Sequence, residues 1–215
     1  MNIENLQMPP VLKTGTKNFH IIALEGVDAC GKTSLCDMLA NTYAEFNFVK
    51  IPSAYIEQPF KKYLYFETTP MASALIFAAS LADRMNKIKN NAAECSVLDR
   101  SLWSTIALNW AKGRADVAQD VLNFYAKISA YVPIPEKVYV LDTPYEICRS
   151  RVMKRNIAVQ KYDEMPHEEY RRHMEFYHWL AERSSGIIFL NTENLSLEML
   201  AKIIYNDIFS KRRKI

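Results

Sequence analysis

Short apolar runs alternate with longer amphipathic segments along most of the chain. The runs predict strands at 19–25, 48–51, 95–98, 137–142 and 186–190. Helical periodicity predicts helices at 32–45, 69–89, 103–112, 117–131, about 144–155, about 166–184 and 197–211, with a short helix at 57–66. Apolar strands that alternate with helices are typical of a parallel sheet covered on both faces. We therefore predict a three-layer α/β fold with a parallel sheet of about five strands.

The junction between the first predicted strand and helix carries the most specific motif of the chain. It reads GVDACGKTS over residues 26–34 and meets the spacing G-x-x-x-x-G-K-S/T. The glycines allow backbone angles closed to other residues, so successive N–H groups can hold phosphate oxygens, helped by the helix N-terminus. The lysine can reach the β- and γ-phosphates, and the threonine hydroxyl can bind Mg²⁺. We predict a nucleoside triphosphate site formed by Gly26, Val27, Asp28, Ala29, Cys30, Gly31, Lys32, Thr33 and Ser34.

An acid and an arginine stand where the third predicted strand ends, at Asp99 and Arg100. Ligands of open α/β sheets bind at the carboxyl edge of the strands. A carboxylate there can hold Mg²⁺ through its water shell, and a neighbouring arginine can bind a phosphate with two parallel hydrogen bonds. The alternative is an ion pair that only stabilises the strand end.

The composition limits the remaining possibilities. A chain of 215 residues with 49% hydrophobic and 24% charged residues suits one globular domain, 1–215, and we find no internal repeat. The net charge of +3 is too small to indicate nucleic acid or a membrane as a partner. No apolar stretch is long enough to predict a membrane span, and the N-terminus lacks the apolar region of a signal peptide. Residues 1–18 lack periodicity and contain two adjacent prolines, so we expect an irregular lead-in.

The four cysteines show no CxxC pair and no zinc-like spacing, which favours a reducing, cytoplasmic setting. Three of them lie in or beside apolar segments and are expected to be buried thiols. Cys30 differs because it lies inside the glycine-bounded loop. It is either an oxidisable thiol at a helix N-terminus or a tolerated small residue.

The chain resembles the thymidylate kinases, within the P-loop nucleoside and nucleotide kinases. Matching segments run in order over about residues 19–205 and include LEGVDACGKTSL, the K-I-P that begins at Lys50, ALIFAA, LDRSLWSTIALNWAKG and PEKVYVLDTPYEICRSRVMKR. The most specific parts are the acid-containing loop and the D-R pair followed by small residues. The resemblance implies a Rossmann-like P-loop NTPase fold, often as a homodimer. It also implies phosphoryl transfer from ATP–Mg²⁺ to a nucleoside monophosphate, foremost dTMP.

The resemblance also implies roles for single residues of the acceptor site. Asp28 matches an acid that contacts the deoxyribose, Asp99 would orient metal-bound water, and Arg100 would bind the acceptor phosphate. Phe77 matches an aromatic residue that stacks on the base, although a core phenylalanine is equally compatible with its helix. Lys50 stands where the family usually has an arginine, and a lysine offers only a point charge there.

A basic segment at about 149–165 matches the lid of the family. Ala29 stands where some members carry an arginine in the loop, so the resemblance implies that the catalytic arginine comes from the lid. Arg151 and Arg155 share a helix face, whereas Arg149 lies elsewhere. Arginines that close over the transferring phosphoryl group stabilise its charge and exclude water. A solvated basic helix remains the alternative.

The base-reading arginine of the family would fall four residues after the aromatic residue, where this chain has Leu81. Arg84, one turn further along, is a candidate substitute. The identity of the base therefore stays open at this point.

Two other functions fit parts of the sequence. A deoxynucleoside kinase shares the loop and a similar D/E-R-S motif, but it needs a general base at the sugar 5′-hydroxyl. Glu57 is a displaced candidate for that base. A nucleotide-binding module without activity would be expected to lose Lys32, Asp99 or Arg100, and all three are present. We therefore predict a nucleoside monophosphate kinase.

Overall fold

A five-stranded parallel sheet organises the part of the chain that the computed structural model describes, residues 2–13, 20–50, 68–90, 93–154 and 165–209. The strands are β1 (His20–Glu25), β2 (Phe46–Lys50), β3 (Cys95–Asp99), β4 (Lys137–Asp142) and β5 (Ile187–Asn191), in the order β2-β3-β1-β4-β5. The helices are α1 (Lys32–Thr42), α2 (Pro70–Lys89), α3 (Leu102–Ala111), α4 (Ala115–Ile128), α5 (Tyr145–Lys154), α6 (His167–Arg183) and α7 (Leu197–Phe209). The predicted α/β fold with a parallel sheet of about five strands is confirmed.

Alternate side chains of the strands pack on opposite faces of the sheet. In β1, Ile21 and Ala23 belong to a core shared with α2, α3, α4 and α6, which we call the first face. Ile22 and Leu24 belong to a core shared with α1 and α7, which we call the second face. Each fully buried Leu or Ile contributes about 1.5–3 kcal/mol. Helices therefore cover both faces, as the near-continuous apolar strands predict.

Two element boundaries differ from the sequence prediction around β2. The first helix ends at Thr42 rather than at 45, and β2 begins at Phe46 rather than at 48. The aromatic rings of this junction explain both differences. Tyr43 leaves the helical conformation and stacks on Tyr205 of α7 at 4.2 Å between ring centroids, and Phe46 packs edge-on against Phe209. The helix predicted at 57–66 lies outside the described residues.

The described part of the N-terminal lead-in, residues 2–13, is more ordered than its composition suggests. It forms two short 3₁₀ helices, Ile3–Asn5 and Pro10–Lys13, and buries Ile3, Leu6 and Leu12 in the core of the first face. An ion pair of 2.6 Å joins Glu4 to Arg183 of α6. Residues 2–13 therefore extend the core of the first face.

The parallel register brings several strand ends to one level of the sheet. Lys50 of β2 lies opposite Asp99 of β3, which lies opposite Leu24 of β1. Polar residues at the carboxyl ends of these strands therefore face the same cleft. Among the described helices, none is both long and apolar enough to cross a bilayer.

Candidate active site

The glycine-bounded loop follows β1 directly and turns into α1. Gly26 has a φ of +129°, and a Cβ atom built on it would lie 3.0 Å from the carbonyl oxygen of Leu141 and 3.1 Å from Cys30 Sγ. Gly31, which precedes α1, has a φ of +110°. Both positions need the conformational freedom of glycine, and the first also needs its missing side chain. The loop adopts the backbone that its motif requires.

The ammonium group of Lys32 lies inside this loop. It donates hydrogen bonds to the carbonyl oxygens of Val27 at 2.6 Å and Gly26 at 3.1 Å, and only 5% of the residue is exposed. These bonds fix a positive charge at the centre of the loop. An anionic ligand can draw the ammonium outward, because a charge–charge interaction is stronger than a bond to a neutral carbonyl.

The side chains of Thr33 and Asp99 meet across the sheet edge. Thr33 Oγ1 donates a hydrogen bond of 2.5 Å to Asp99 Oδ2. An oxygen-only pair suits Mg²⁺, which takes few protein ligands and keeps waters and substrate phosphates as the others. Within the described residues no group of three or more His, Cys, Asp or Glu side chains forms a metal cage. The two side chains therefore fit Mg²⁺ held together with a nucleotide.

Arg100 and Asp28 form an ion pair between the strand end and the loop. Arg100 Nη1 also donates to Ser104 Oγ at 3.2 Å. Burial alone would lower the pKa of the guanidinium, but Asp28, then Asp99 and Glu25, raise it above its ordinary value. The arginine therefore stays charged, and its head is available to exchange Asp28 for an anionic group of a ligand.

Arg151 of α5 reaches the opposite side of the loop. Its Nη1 donates to the carbonyl oxygens of Ala29 at 3.1 Å and Cys30 at 3.2 Å. The guanidinium of Arg151 therefore approaches the glycine-bounded loop at Ala29. Arg149 projects from an exposed position of the same helix, and Arg155 lies outside the described residues.

A cleft of about 490 Å³ joins the loop to the ends of β2 and β3. Lys50 and Leu81 also line it, and Phe77 of α2 is half-buried in its wall. The predicted site residues in its lining are Asp28, Ala29, Gly31, Lys32, Thr33, Ser34, Lys50, Phe77, Asp99 and Arg100. Two separately predicted groups, the phosphate loop and the acceptor residues, thus share one cavity.

Some predicted residues are not in the lining of this cleft. Val27 and Cys30 turn their side chains into the core of the second face, and each residue is 2% exposed. Cys30 is therefore a buried thiol rather than an exposed loop cysteine. Arg84 is half-buried outside the lining, and its Nε has no hydrogen-bond partner among the described residues.

Sequence reasoning missed two buried polar residues beside the cleft. Glu25, the last residue of β1, is fully buried and accepts hydrogen bonds from Ser101, which precedes α3, and from Tyr177 of α6. A charged residue at the end of an apolar strand was the only available signal. His173 of α6 lines the cleft, and neither ring nitrogen has a hydrogen-bond partner among the described residues. Burial, then the charges of Arg100 and Lys32, lower the pKa of His173 to about 3, so the ring is neutral.

The chain is similar to known proteins over most of its length. The sequence model of the thymidylate kinase family matches residues 24–204. A probable thymidylate kinase 1 of Saccharolobus solfataricus is 30% identical over 61% of this chain and 69% of its own length. A probable thymidylate kinase of Methanococcus aeolicus is 25% identical over 89% of this chain and 96% of its own. The solved thymidylate kinase of Candida albicans shares the fold with a TM-score of 0.69 at 17% identity, over 92% of this chain and 94% of that one.

Proposed function

Since the chain belongs to the thymidylate kinase family, we propose that it transfers the γ-phosphoryl group of ATP to the phosphate of dTMP, which gives dTDP and ADP. Family membership confirms the predicted enzyme class, a phosphotransferase with ATP and a nucleotide as substrates. It also favours the monophosphate kinase over the deoxynucleoside kinase.

One observation carries the proposal for the site. The triphosphate loop and the pair Asp99–Arg100 line the same cleft, with Thr33 and Asp99 in direct contact. Phosphoryl transfer needs a donor and an acceptor held in line within one enclosure, because catalysis here is mainly positioning and charge stabilisation. A cavity of about 490 Å³ is large enough to bury the reacting parts of two nucleotides.

On the donor side, the loop N–H groups of residues 26–34 bind the phosphates of ATP. Lys32 leaves the carbonyls of Gly26 and Val27 to contact the β- and γ-phosphates. Thr33 and Asp99 would hold Mg²⁺, which would help to neutralise the negative charge of the ATP phosphates. Val27 and Cys30 contribute backbone groups alone, since their side chains are buried.

On the acceptor side, Arg100 binds the acceptor phosphate with its guanidinium. Asp28 then exchanges its ion pair with Arg100 for the sugar hydroxyl of the acceptor. Phe77 forms the stacking wall for the base, and Lys50 adds a point charge at the end of β2. Arg84 stays a candidate for base recognition only if it moves toward the cleft.

During transfer, Arg151 stabilises the charge on the γ-phosphoryl oxygens from the loop side. Its two bonds to loop carbonyls keep it within reach of that group. Arg155, four residues further along the sequence and outside the described residues, is proposed as its partner in the lid at about 149–165.

The remaining parts of the proposal concern the whole chain. We propose one P-loop kinase domain, 1–215, which acts as a homodimer in a reducing, cytoplasmic setting. The four cysteines support that setting because all lie in the described part of the chain, are buried and form no disulfide there, and burial raises the pKa of the Cys148 thiol to about 12. Sedimentation equilibrium tests the dimer.

A coupled ADP-release assay with ATP–Mg²⁺ and a panel of acceptors tests the function. The panel holds dTMP, dUMP, dCMP, dGMP, UMP, thymidine and deoxycytidine. We expect the highest kcat/KM on dTMP. Turnover on nucleosides without turnover on monophosphates would instead support a deoxynucleoside kinase and make Glu57 the base to test.

A further inference from the structure

The carboxylate of Glu25 is enclosed by hydrogen-bond donors. Glu25 is 0% exposed and is absent from the lining of the cleft. Its Oε1 accepts from the backbone N–H of Ser101 at 2.8 Å and from the Ser101 hydroxyl at 2.6 Å. Its Oε2 accepts from the Ser104 hydroxyl and from the Tyr177 hydroxyl at 2.9 Å. We call Glu25, Ser101, Ser104 and Tyr177 the Glu25 cluster.

Two hydrogen bonds connect the backbone at Arg100 to the last two residues of β1. Its own N–H donates to the carbonyl oxygen of Leu24 at 3.1 Å, and the next N–H, of Ser101, donates to Glu25. Arg100 has a φ of +76°, a left-handed conformation that a residue with a Cβ adopts only when its surroundings enforce it. The paired bonds to the end of β1 supply that constraint.

The side chain of Arg100 is tied to the same carboxylate through Ser104. Arg100 Nη1 donates to Ser104 Oγ at 3.2 Å, and the Ser104 hydroxyl in turn donates to Glu25. The Tyr177 hydroxyl, from α6, donates to the other lone pair of Oε2. A single buried carboxylate thus holds both the backbone and the head of Arg100, and it connects β1 to α3 and α6.

We infer that Glu25 is a positioning residue for acceptor binding, which holds Arg100 in its left-handed conformation with its guanidinium turned to the acceptor phosphate. The identity of the acceptor in this inference rests on the proposed function. The effect of Glu25 on the conformation of Arg100 does not depend on it. Glu25 touches no substrate, so it acts through Arg100, with Tyr177 as its support on α6.

Tyr177→Phe and Glu25→Gln test the role. Tyr177→Phe removes one donor from Oε2, and Glu25→Gln keeps an oxygen for Ser101 but puts an amide NH₂ where Ser104 and Tyr177 now donate. Tyr139→Phe is a matched control. It also deletes a buried hydroxyl bonded to a carboxylate, that of Asp207 at 2.7 Å, on the second face of the sheet.

We expect the KM for dTMP to rise about tenfold in Tyr177→Phe and more in Glu25→Gln, with the KM for ATP within about twofold of the wild type. Tyr139→Phe should lower the melting temperature about as much as Tyr177→Phe and leave both KM values unchanged. Equal KM values for dTMP in Tyr177→Phe and in the control would overturn the inference.

Crystal structures of the two variants separate this inference from the proposed function. If the wild-type protein does not phosphorylate dTMP, the proposed substrate is wrong, and the geometry of Arg100 still reports on Glu25. We expect Arg100 to leave its positive φ or its ion pair with Asp28 in Glu25→Gln, or in Tyr177→Phe if the first variant does not fold. An unchanged Arg100 in the variant that folds would contradict the inference.

Discussion

Two carboxylates of this molecule, Glu25 and Asp207, each accept a hydrogen bond from a buried tyrosine hydroxyl, and they lie on opposite faces of the sheet. The Tyr177 hydroxyl donates to Glu25 on the first face. On the second face, the Tyr139 hydroxyl of β4 donates to Asp207 of α7 at 2.7 Å, and Lys137 forms an ion pair of 2.7 Å with the same carboxylate. We call Asp207, Tyr139 and Lys137 the Asp207 cluster. Burial, then the partner carboxylate in each case, raises the pKa of both tyrosines well above its ordinary value.

The two clusters differ in where they meet the strands. Glu25 is the last residue of β1, so its donors lie beside the phosphate loop and Arg100. Lys137 is the first residue of β4, and the Asp207 cluster therefore joins α7 to the amino end of that strand. Similar chemistry at the two ends of a parallel sheet has different consequences, because ligands bind at the carboxyl end. Removing residues near Glu25 should change catalysis, and removing residues near Asp207 should change stability.

The largest expected effect on activity follows from removing a cation at the carboxyl edge of the sheet. Lys32→Ala or Arg100→Ala should reduce kcat/KM for dTMP by about 10³-fold or more, because each removes a charge that faces a phosphoryl group. Steady-state kinetics on the ADP-release assay measures this, and circular dichroism checks that the fold is intact. Lys137→Ala, which removes a cation at the amino end of the sheet, is the control and should keep wild-type kinetics. A near-wild-type rate in either cleft variant would refute the site assignment.

Arg151 tests whether a residue affects catalysis through the face of the sheet on which it lies or through its proximity to the carboxyl ends of the strands. Its helix contributes Cys148 to the core of the second face, the face of Asp207, but its guanidinium contacts the phosphate loop. Arg151→Ala should lower kcat by about 10²-fold, with a smaller change in the KM for dTMP. Arg149→Ala, on the same helix, serves as the control and should change kcat by less than about threefold. If both variants lower kcat equally, the effect comes from the basic helix as a whole rather than from one catalytic arginine.

The Asp207 cluster should respond in stability alone. Asp207→Ala removes the acceptor of Tyr139 and Lys137 and should lower the free energy of unfolding by about 2 kcal/mol, since it leaves a buried hydroxyl unpaired. Thermal unfolding should show a melting temperature lower by about 4–8 °C for a chain of this size. The kcat/KM for dTMP, measured well below that temperature, should stay at the wild-type value. A loss of activity without a loss of stability would remove the distinction between the two ends of the sheet.

The sequence was sufficient to predict the sheet and the loop because both depend on local pattern. The run Ile21, Ile22, Ala23 and Leu24 is apolar on both faces, which indicates a buried parallel strand. The spacing of the loop glycines then fixes the junction with α1. Parallel strands end at the same edge, so Asp99 could be expected near the loop before any coordinates were known.

The missed features depend on contacts between distant parts of the chain. Tyr177 is 152 residues from Glu25, and no local pattern indicates that α6 crosses the end of β1. Arg84 is absent from the cleft lining for a geometric reason. Phe77 and Leu81 are one turn apart and line the cleft, whereas Arg84 lies about 10 Å along the helix axis from Phe77, beyond the cavity.

The smallest expected effect concerns His173, which lies near Arg100, Lys32 and Asp28 and packs against the ring of Tyr177. Its pKa is lowered to about 3 in the folded protein, against about 6.5 in the unfolded chain. Between those values the unfolded chain binds a proton that the folded protein does not, so stability falls as the pH decreases.

From pH 6 to pH 5 the wild type should lose about 1 kcal/mol more free energy of unfolding than His173→Phe. Urea unfolding at both pH values measures the difference, and the NMR shift of the His173 ring at pH 5 checks that it is neutral. Equal losses in the two proteins would mean that His173 is protonated in the folded state, and it would then add a third cation beside Arg100 and Lys32.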